Sequence, residues 1–128
     1  FGWPISSYGE HYAKKNAITD DQIRKVNLLY EKYPLNKSHK DYGFIEPLHY
    51  FNPSIGISEI TGIGDSTYMS SSLGGKKLFF FKLNKNKEIN EYYIENIGER
   101  VRDVIFKNNK LIFFLEDTAT IAVANFNY

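Results

Sequence analysis

Residues 101–116 read VRDVIFKNNKLIFFLE, and this stretch predicts a β-hairpin. Two short runs rich in β-branched and aromatic residues, Val101–Lys107 and Leu111–Glu116, flank the pair Asn108-Asn109. Asparagine tolerates the positive φ angles of tight hairpin turns, so the pair marks a turn between two antiparallel strands. The C-terminal half of the chain is therefore expected to be β-sheet.

The same alternation of short runs and turn residues extends back to residue 57. Turn signals lie at Gly74-Gly75 and at residues 84–87, which read NKNK. Seven strands in series predict a meander, which suits a sandwich, a barrel or propeller blades. The predicted strands are Ile57–Ile63, Thr67–Leu73, Lys77–Leu83, Ile89–Ile97, Val101–Lys107, Leu111–Glu116 and Ile121–Phe126.

If the strands belong to propeller blades, their number sets the predicted domain organisation. A blade has four strands, so residues 57–97 would form one full blade and residues 98–128 an incomplete closing blade. A propeller needs at least four blades of about 40 to 50 residues, so 128 residues cannot hold a complete ring. The predicted fold class is all-β, and the strand pattern alone leaves a sandwich, a barrel and part of a β-propeller open.

The first 56 residues differ from the rest and form a loop-rich segment with one predicted helix near residues 20–33. Thr19 and Gln22 have the spacing of a capping box, which begins a helix. Apolar residues then recur along one helical face. Pro34 ends the helix, because the residue before a proline avoids the helical conformation.

Composition excludes several classes of protein. With 128 residues, 42% of them hydrophobic, the chain can build the core of one ordinary domain. Sixteen Lys and Arg residues against fifteen Asp and Glu residues leave no basic excess that would indicate nucleic-acid binding. The longest apolar run, Leu111–Leu115, is too short to span a membrane. The absence of cysteine excludes a disulfide scaffold.

Arg100 and Arg102 lie two residues apart in a segment that reads as a strand. Alternate side chains of a strand project from the same face, so the two guanidiniums are expected side by side. Two such charges repel unless an anion lies between them, and their planar donor forks suit a carboxylate or a phosphate. The pair predicts a small acidic ligand. The alternative is a solvated face whose repulsion is relieved by water and a neighbouring Asp or Glu.

Several short motifs follow one another along the chain. They are FGWP (residues 1–4), SYG (7–9) with Tyr12, Pro47 with Tyr50, NPSI (52–55), SSL (71–73), GERVRDV (98–104) and LED (115–117). In this order they resemble the C-terminal end of the soluble glucose/sorbosone-type aldose dehydrogenases. The resemblance implies about two C-terminal blades of a six-bladed propeller that uses pyrroloquinoline quinone (PQQ) and calcium.

The resemblance also implies cofactor contacts at five residues. PQQ carries three carboxylates, so its site must neutralise negative charge. Arg100 and Arg102 match the family's cofactor-binding arginines, and Ser54 matches a position whose hydroxyl contacts the cofactor. His49 matches a cofactor-proximal aromatic position. Asn52 stands where the best-known members have a tryptophan beside the cofactor.

Other parts of the family's site are displaced or expected elsewhere. Gly74 stands where a family lysine reaches the cofactor carboxylates, with Lys76 and Lys77 close by. The family's base histidine and calcium loop would precede Phe1, so no catalytic or metal-binding residue is expected in this chain, which should be inactive when isolated. The implied partners are a sugar or alcohol substrate and an external electron acceptor, and the implied location is periplasmic or secreted.

Two functions therefore stay open. The first is a part of a PQQ- and calcium-dependent dehydrogenase that oxidises the C1 hydroxyl of an aldose. The second is a non-catalytic propeller domain used for binding. In that case the arginines would pair with internal carboxylates such as Asp103 or Asp117.

Overall fold

The structure is a computed structural model that describes residues 5–11, 14 and 16–126. The FGWP motif and Tyr12 lie outside the described residues. The chain divides into two compact units, Phe1–Ser54 and Ile55–Tyr128, which we call unit 1 and unit 2. No helix in the described part of the chain is long and apolar enough to cross a membrane.

Unit 1 contains the predicted helix, α1 (Asp20–Lys32). Its N-cap is Thr19, whose hydroxyl accepts a hydrogen bond from the backbone N–H of Gln22 at 3.3 Å. The Gln22 amide oxygen in turn accepts from the Thr19 backbone at 3.0 Å, which completes the predicted capping box. Only Val26 is buried among the described residues of the helix. The helix ends before Tyr33, one residue ahead of Pro34.

A single carboxylate organises the loop after α1. The Glu46 carboxylate accepts hydrogen bonds from the backbone N–H groups of His39 and Lys40, both at 2.8 Å, at the start of a short 3-10 turn, Lys40–Tyr42. It also accepts from the Tyr8 hydroxyl at 2.8 Å. The Tyr8 ring stacks between the rings of His39 and Tyr50, with centroid distances of 5.2 and 4.1 Å. These contacts hold loops together where unit 1 has little apolar core.

Unit 2 consists of two antiparallel sheets, so the all-β prediction is confirmed. The first sheet has four strands in the order β1-β2-β3-β4, and the second has three in the order β5-β6-β7. Both are meanders of the kind found in propeller blades. The strands are β1 (Ile57–Gly64), β2 (Thr67–Ser72), β3 (Lys77–Leu83), β4 (Ile89–Asn96), β5 (Val101–Lys107), β6 (Lys110–Leu115) and β7 (Thr120–Asn125).

The turns agree with the sequence only in part. Asn108 and Asn109 have φ angles of 52° and 56°, as expected for the tight hairpin between β5 and β6. Between β2 and β3, however, the positive φ lies at Lys76 (52°) and not at Gly74 or Gly75. The glycines are needed there for space, because a Cβ on Gly75 would lie 2.7 Å from the Ser72 hydroxyl.

The core of unit 2 lies where the two sheets pack against each other. Its buried side chains come from both sheets: Ile63, Met69, Leu78, Val101, Val104, Leu111 and Phe113. Beyond this core the sheets leave a groove of about 600 Å³, lined by aromatic side chains that include Phe80, Tyr93 and Phe126. Val101 and Val104 of β5 are both buried in this core, so β5 packs against the first sheet.

The opposite face of the second sheet is apolar and open to solvent. Ile105, Ile121 and Val123 are 55%, 69% and 60% exposed. In the strand register Ile105 lies opposite Ile112, and Ile112 lies opposite Val123, so these side chains form one continuous face. An exposed apolar face of this kind is expected of a sheet that packs against a further sheet.

Candidate functional site

The two arginines lie at the beginning of β5, one just before the strand and one within it. Strict alternation would place Val101 and Val104 on opposite faces, but both are buried, at 0% and 4% exposure. A shift of register between Val101 and Asp103 resolves this conflict, because a bulge adds one residue to the strand. Arg102 occupies the bulge, and the local geometry of the pair differs from that of a regular strand.

Both arginines nevertheless reach the same carboxylate. Glu116 Oε2 lies 2.5 Å from Arg102 Nη2, and Glu116 Oε1 lies 3.6 Å from Arg100 Nη2. The side chains of Arg100 and Arg102 remain 43% and 51% exposed, whereas that of Glu116 is 28% exposed. The expected side-by-side placement is thus observed, with a carboxylate between the two charges and donor groups left open to solvent.

The backbone fixes this arrangement. Glu116 follows directly after β6, and its N–H donates a hydrogen bond of 2.8 Å to the carbonyl of Arg100. The neighbouring pair Val101 and Leu115 are partners in the sheet. The buried Nε of Arg100 has no hydrogen-bond partner within the described ranges of the chain. This leaves a guanidinium whose hydrogen-bonding capacity is incompletely used.

A second ion pair lies next to the first. Lys76 Nζ is 2.7 Å from Asp117 Oδ2. The hydrogen bond and charge of Lys76 lower the pKa of Asp117, and the backbone N–H and charge of Arg100 contribute in the same direction. We call Lys76, Arg100, Arg102, Glu116 and Asp117 the cationic cluster. Its three positive and two negative side chains leave a net positive charge, as an anion site requires.

The arginines pair with an internal carboxylate, but it is Glu116 and neither of the two examples predicted from the sequence, Asp103 and Asp117. Asp103 Oδ1 accepts a hydrogen bond of 2.8 Å from the backbone N–H of Val104, and the described residues show no ion pair between Asp103 and either arginine. Asp117 contacts the other residues of the cationic cluster mainly through Lys76. The bridging residue is Glu116, which belongs to the LED motif but carries no signal of that role in the sequence. Its position depends on how β5 and β6 pair.

The other three site residues of the resemblance, His49, Asn52 and Ser54, belong to unit 1, whereas the arginines belong to unit 2. The ring of His49 lies edge-on to Phe51, with centroids 4.7 Å apart. Asn52 precedes a cis peptide bond to Pro53, and its amide donates a 3.4 Å hydrogen bond to Glu10. Ser54 is exposed. Cofactor binding by these three residues stays a prediction.

Glu10, the partner of Asn52, is the centre of a polar network in unit 1. Its carboxylate accepts hydrogen bonds from the Tyr30 hydroxyl and from Lys14, the latter at 3.1 Å. These contacts, with the Asn52 amide, hold the pKa of Glu10 down at about 2, well below its ordinary 4.5. Glu10 therefore stays ionised and serves to tie the start of the chain to α1.

Metal and base chemistry have no visible centre in the part of the chain that the structure covers. Residues 5–11, 14 and 16–126 contain no group of three His, Asp or Glu side chains that could hold a metal ion. His11 Nε2 lies 2.8 Å from the Tyr33 carbonyl oxygen, and His39 is buried beside Tyr8. The cationic cluster is therefore the feature that best fits a ligand.

Two blade-like sheets with a positively charged cluster at the start of β5 define an all-β protein with a candidate anion site. A family model described as Glucose / Sorbosone dehydrogenase matches residues 1–124. The chain therefore belongs to the glucose/sorbosone dehydrogenase family, as the sequence motifs indicate. No curated protein and no solved structure matches it.

Proposed function

We propose that the chain is a part of a PQQ- and calcium-dependent sugar dehydrogenase that oxidises the C1 hydroxyl of an aldose. In this proposal Arg100 and Arg102 bind carboxylates of the cofactor. The observation that supports it best is the shared placement of the two guanidiniums, half-exposed and held beside one carboxylate at the start of β5. The match to the glucose/sorbosone dehydrogenase family supports the class of enzyme in this proposal, a sugar dehydrogenase.

The cationic cluster fits PQQ by charge and by donor type. PQQ is a flat o-quinone with three carboxylates. When bound, it would accept the electrons that are removed from the sugar. Arg100 and Arg102 offer planar forks of N–H donors that suit carboxylates, and Lys76 adds a third positive charge nearby.

The remaining parts of the proposal concern groups beyond the cluster. Ser54, Asn52 and His49 would add contacts to the cofactor, while the base histidine and the calcium ligands would come from residues outside this chain. The substrate would be a small sugar or alcohol, with an external electron acceptor, in a periplasmic or secreted enzyme. The isolated chain would then bind cofactor weakly and show no turnover, because proton abstraction needs a base within hydrogen-bond reach.

Calorimetric titration of PQQ into the full-length protein that contains this chain tests the proposal. A charge-assisted contact contributes roughly 1.5 to 3 kcal/mol, so Arg100→Ala or Arg102→Ala should each weaken binding by about tenfold to a hundredfold. Lys107→Ala is the control, because it removes a positive charge from the far end of β5. Equal PQQ affinity in the wild type and both arginine variants would remove the pair from the site.

The ion pairs with Glu116 favour one competing function, a non-catalytic propeller domain used for binding. If the arginines serve only to satisfy Glu116, Arg102→Ala strands a carboxylate and lowers the melting temperature. PQQ binding would then be undetectable in every variant. The same titration with melting curves alongside separates the two functions.

A further inference from the structure

We infer that Glu116 is a positioning residue that holds Arg100 and Arg102 side by side for a ligand carboxylate. The inference rests on the proposed function, in which the two arginines bind the cofactor. It assigns to Glu116 a role in ligand affinity although Glu116 carries the same sign of charge as the ligand. Its basis is the geometry of the three side chains and of the backbone that carries them.

Glu116 contacts the two guanidiniums with different oxygens. Oε2 lies 2.5 Å from Arg102 Nη2 without the geometry of a hydrogen bond, and Oε1 lies 3.6 Å from Arg100 Nη2, so one carboxylate faces both guanidiniums through ionic contacts. The N–H of Glu116 is bonded to the Arg100 carbonyl, which anchors the carboxylate relative to both arginines. Long arginine side chains otherwise lose considerable rotamer freedom when a ligand binds. A carboxylate that restrains both before binding reduces that loss.

The exposed fractions show that this restraint leaves the arginines available. Glu116 is the most buried of the three side chains, at 28% exposure, and each guanidinium contacts it through a single terminal nitrogen. Each guanidinium carries five N–H donors, and apart from the buried Nε of Arg100 the half-exposed side chains keep terminal N–H groups for an incoming carboxylate. Glu116 therefore lies behind the pair, and the open side of the pair faces solvent.

A second interpretation of Glu116 predicts the opposite change in ligand affinity. If Glu116 acted only through its charge, it would repel an anionic ligand, and its neutralisation would tighten binding. If Glu116 holds the arginines in place, neutralisation should weaken binding although the cluster becomes more positive. The direction of the change in affinity therefore decides between the two.

Glu116→Gln is the decisive variant. Glutamine has nearly the same volume but keeps one acceptor oxygen, so it can hold only one of the two guanidiniums. Glu99→Gln is the matched control, because it removes an equal charge next to Arg100. The Glu99 carboxylate accepts from the Thr118 hydroxyl at 2.9 Å, a contact separate from the arginine pair.

We expect PQQ to bind Glu116→Gln at least about tenfold more weakly than the wild type, with Glu99→Gln unchanged or slightly tighter. Nitrogen NMR of the guanidinium groups in the protein without ligand should show both arginines ordered in the wild type and in Glu99→Gln. At least one should become mobile in Glu116→Gln. A merely structural role of Glu116 would lower the melting temperature without this selective loss of guanidinium order.

Unchanged or tighter PQQ binding by Glu116→Gln would overturn the inference, as would guanidinium order that the substitution leaves intact. If the wild type binds no PQQ, the proposed function is wrong and a different readout decides the inference. Titration with citrate, a simple tricarboxylate, then replaces PQQ beside the NMR measurement. Equal citrate affinity in the wild type and Glu116→Gln would reject the positioning role.

Discussion

The hydroxyl of Ser58 on β1 donates a hydrogen bond of 2.5 Å to the carbonyl of Val101 on β5. This bond joins the two sheets of unit 2 at the residue that lies between Arg100 and Arg102. Ser58 also lies 2.9 Å from the Ser71 hydroxyl, which fixes its orientation. The position of the candidate anion site therefore depends on a polar contact between sheets as well as on the apolar core.

Ser58→Ala should consequently affect both stability and the arginine pair. Loss of the hydroxyl leaves the carbonyl of fully buried Val101 without this donor, at a cost of about 1 to 3 kcal/mol in unfolding free energy. PQQ binding should weaken as well, because the bulge that carries Arg102 is no longer anchored by the hydrogen bond from Ser58 to the Val101 carbonyl. Urea unfolding and the PQQ titration measure the two effects. Wild-type stability in Ser58→Ala would show that water replaces the bond.

Packing between the sheets should dominate the stability of unit 2. Leu111 is 4% exposed and belongs to the shared core, so Leu111→Ala should cost about 2 to 5 kcal/mol. Ile105, on the opposite face of the same sheet and 55% exposed, is the control, and Ile105→Ala should cost well under half as much. Urea unfolding of both variants checks this. Equal losses would mean that the face of Ile105 is also covered.

Glu10 should make unit 1 sensitive to acid. Because contacts with Tyr30, Lys14 and Asn52 lower its pKa from 4.5 in the unfolded chain to about 2, the ionised form is favoured by folding. This contribution is fully present above pH 4.5 and is lost as the pH falls towards 2. Glu10→Gln should lose stability at neutral pH and respond less to pH in this window. Melting curves between pH 6 and pH 2 test this. If the melting temperatures of the wild type and Glu10→Gln fall in parallel with pH, Glu10 is not the cause of the acid sensitivity.

The exposed apolar face of the second sheet should limit solubility. Ile121 and Val123 are 69% and 60% exposed on β7, which is an edge strand with an open row of backbone groups. Replacement of both by lysine should raise the soluble yield without changing the circular dichroism spectrum. Lysine at Ile18 of unit 1, which is 87% exposed and outside this apolar face, is the control and should have little effect. The same soluble yield from the β7 variant and the wild type would contradict this.

Local signals predicted most of the fold. The capping box at Thr19 and the hairpin at Asn108 and Asn109 depend on residues that are close in sequence. The residue pattern was therefore enough to predict both elements. Gly64, Asp65 and Ser66, which all have positive φ, are residue types that favour turns and lie at the predicted break between the first two strands. The sequence thus predicts elements well where short-range chemistry decides them.

The candidate site was predicted less completely. The arginine spacing and the family resemblance both point to Arg100 and Arg102, but strict alternation cannot reveal the bulge that holds Arg102. Glu116 becomes their partner only through the pairing of β5 with β6, fourteen residues away from Arg102 along the chain. Spacing along the chain does not identify a partner that tertiary structure brings close, and Asp103 and Asp117 were predicted only as examples of internal carboxylates.

Lys76 offers a final test of the cationic cluster as an anion site. Its ion pair with Asp117 is exposed, with side chains at 46% and 37%, so Lys76→Ala should change unfolding free energy by less than about 1 kcal/mol. The loss of one of three positive charges should nevertheless weaken PQQ binding by roughly threefold to tenfold and reduce its dependence on salt. Lys85→Ala, in the exposed turn between β3 and β4, is the matched control and should leave affinity unchanged. If the two variants bind PQQ equally well at low salt, Lys76 does not contribute to the site and the ligand is held by the arginine pair alone.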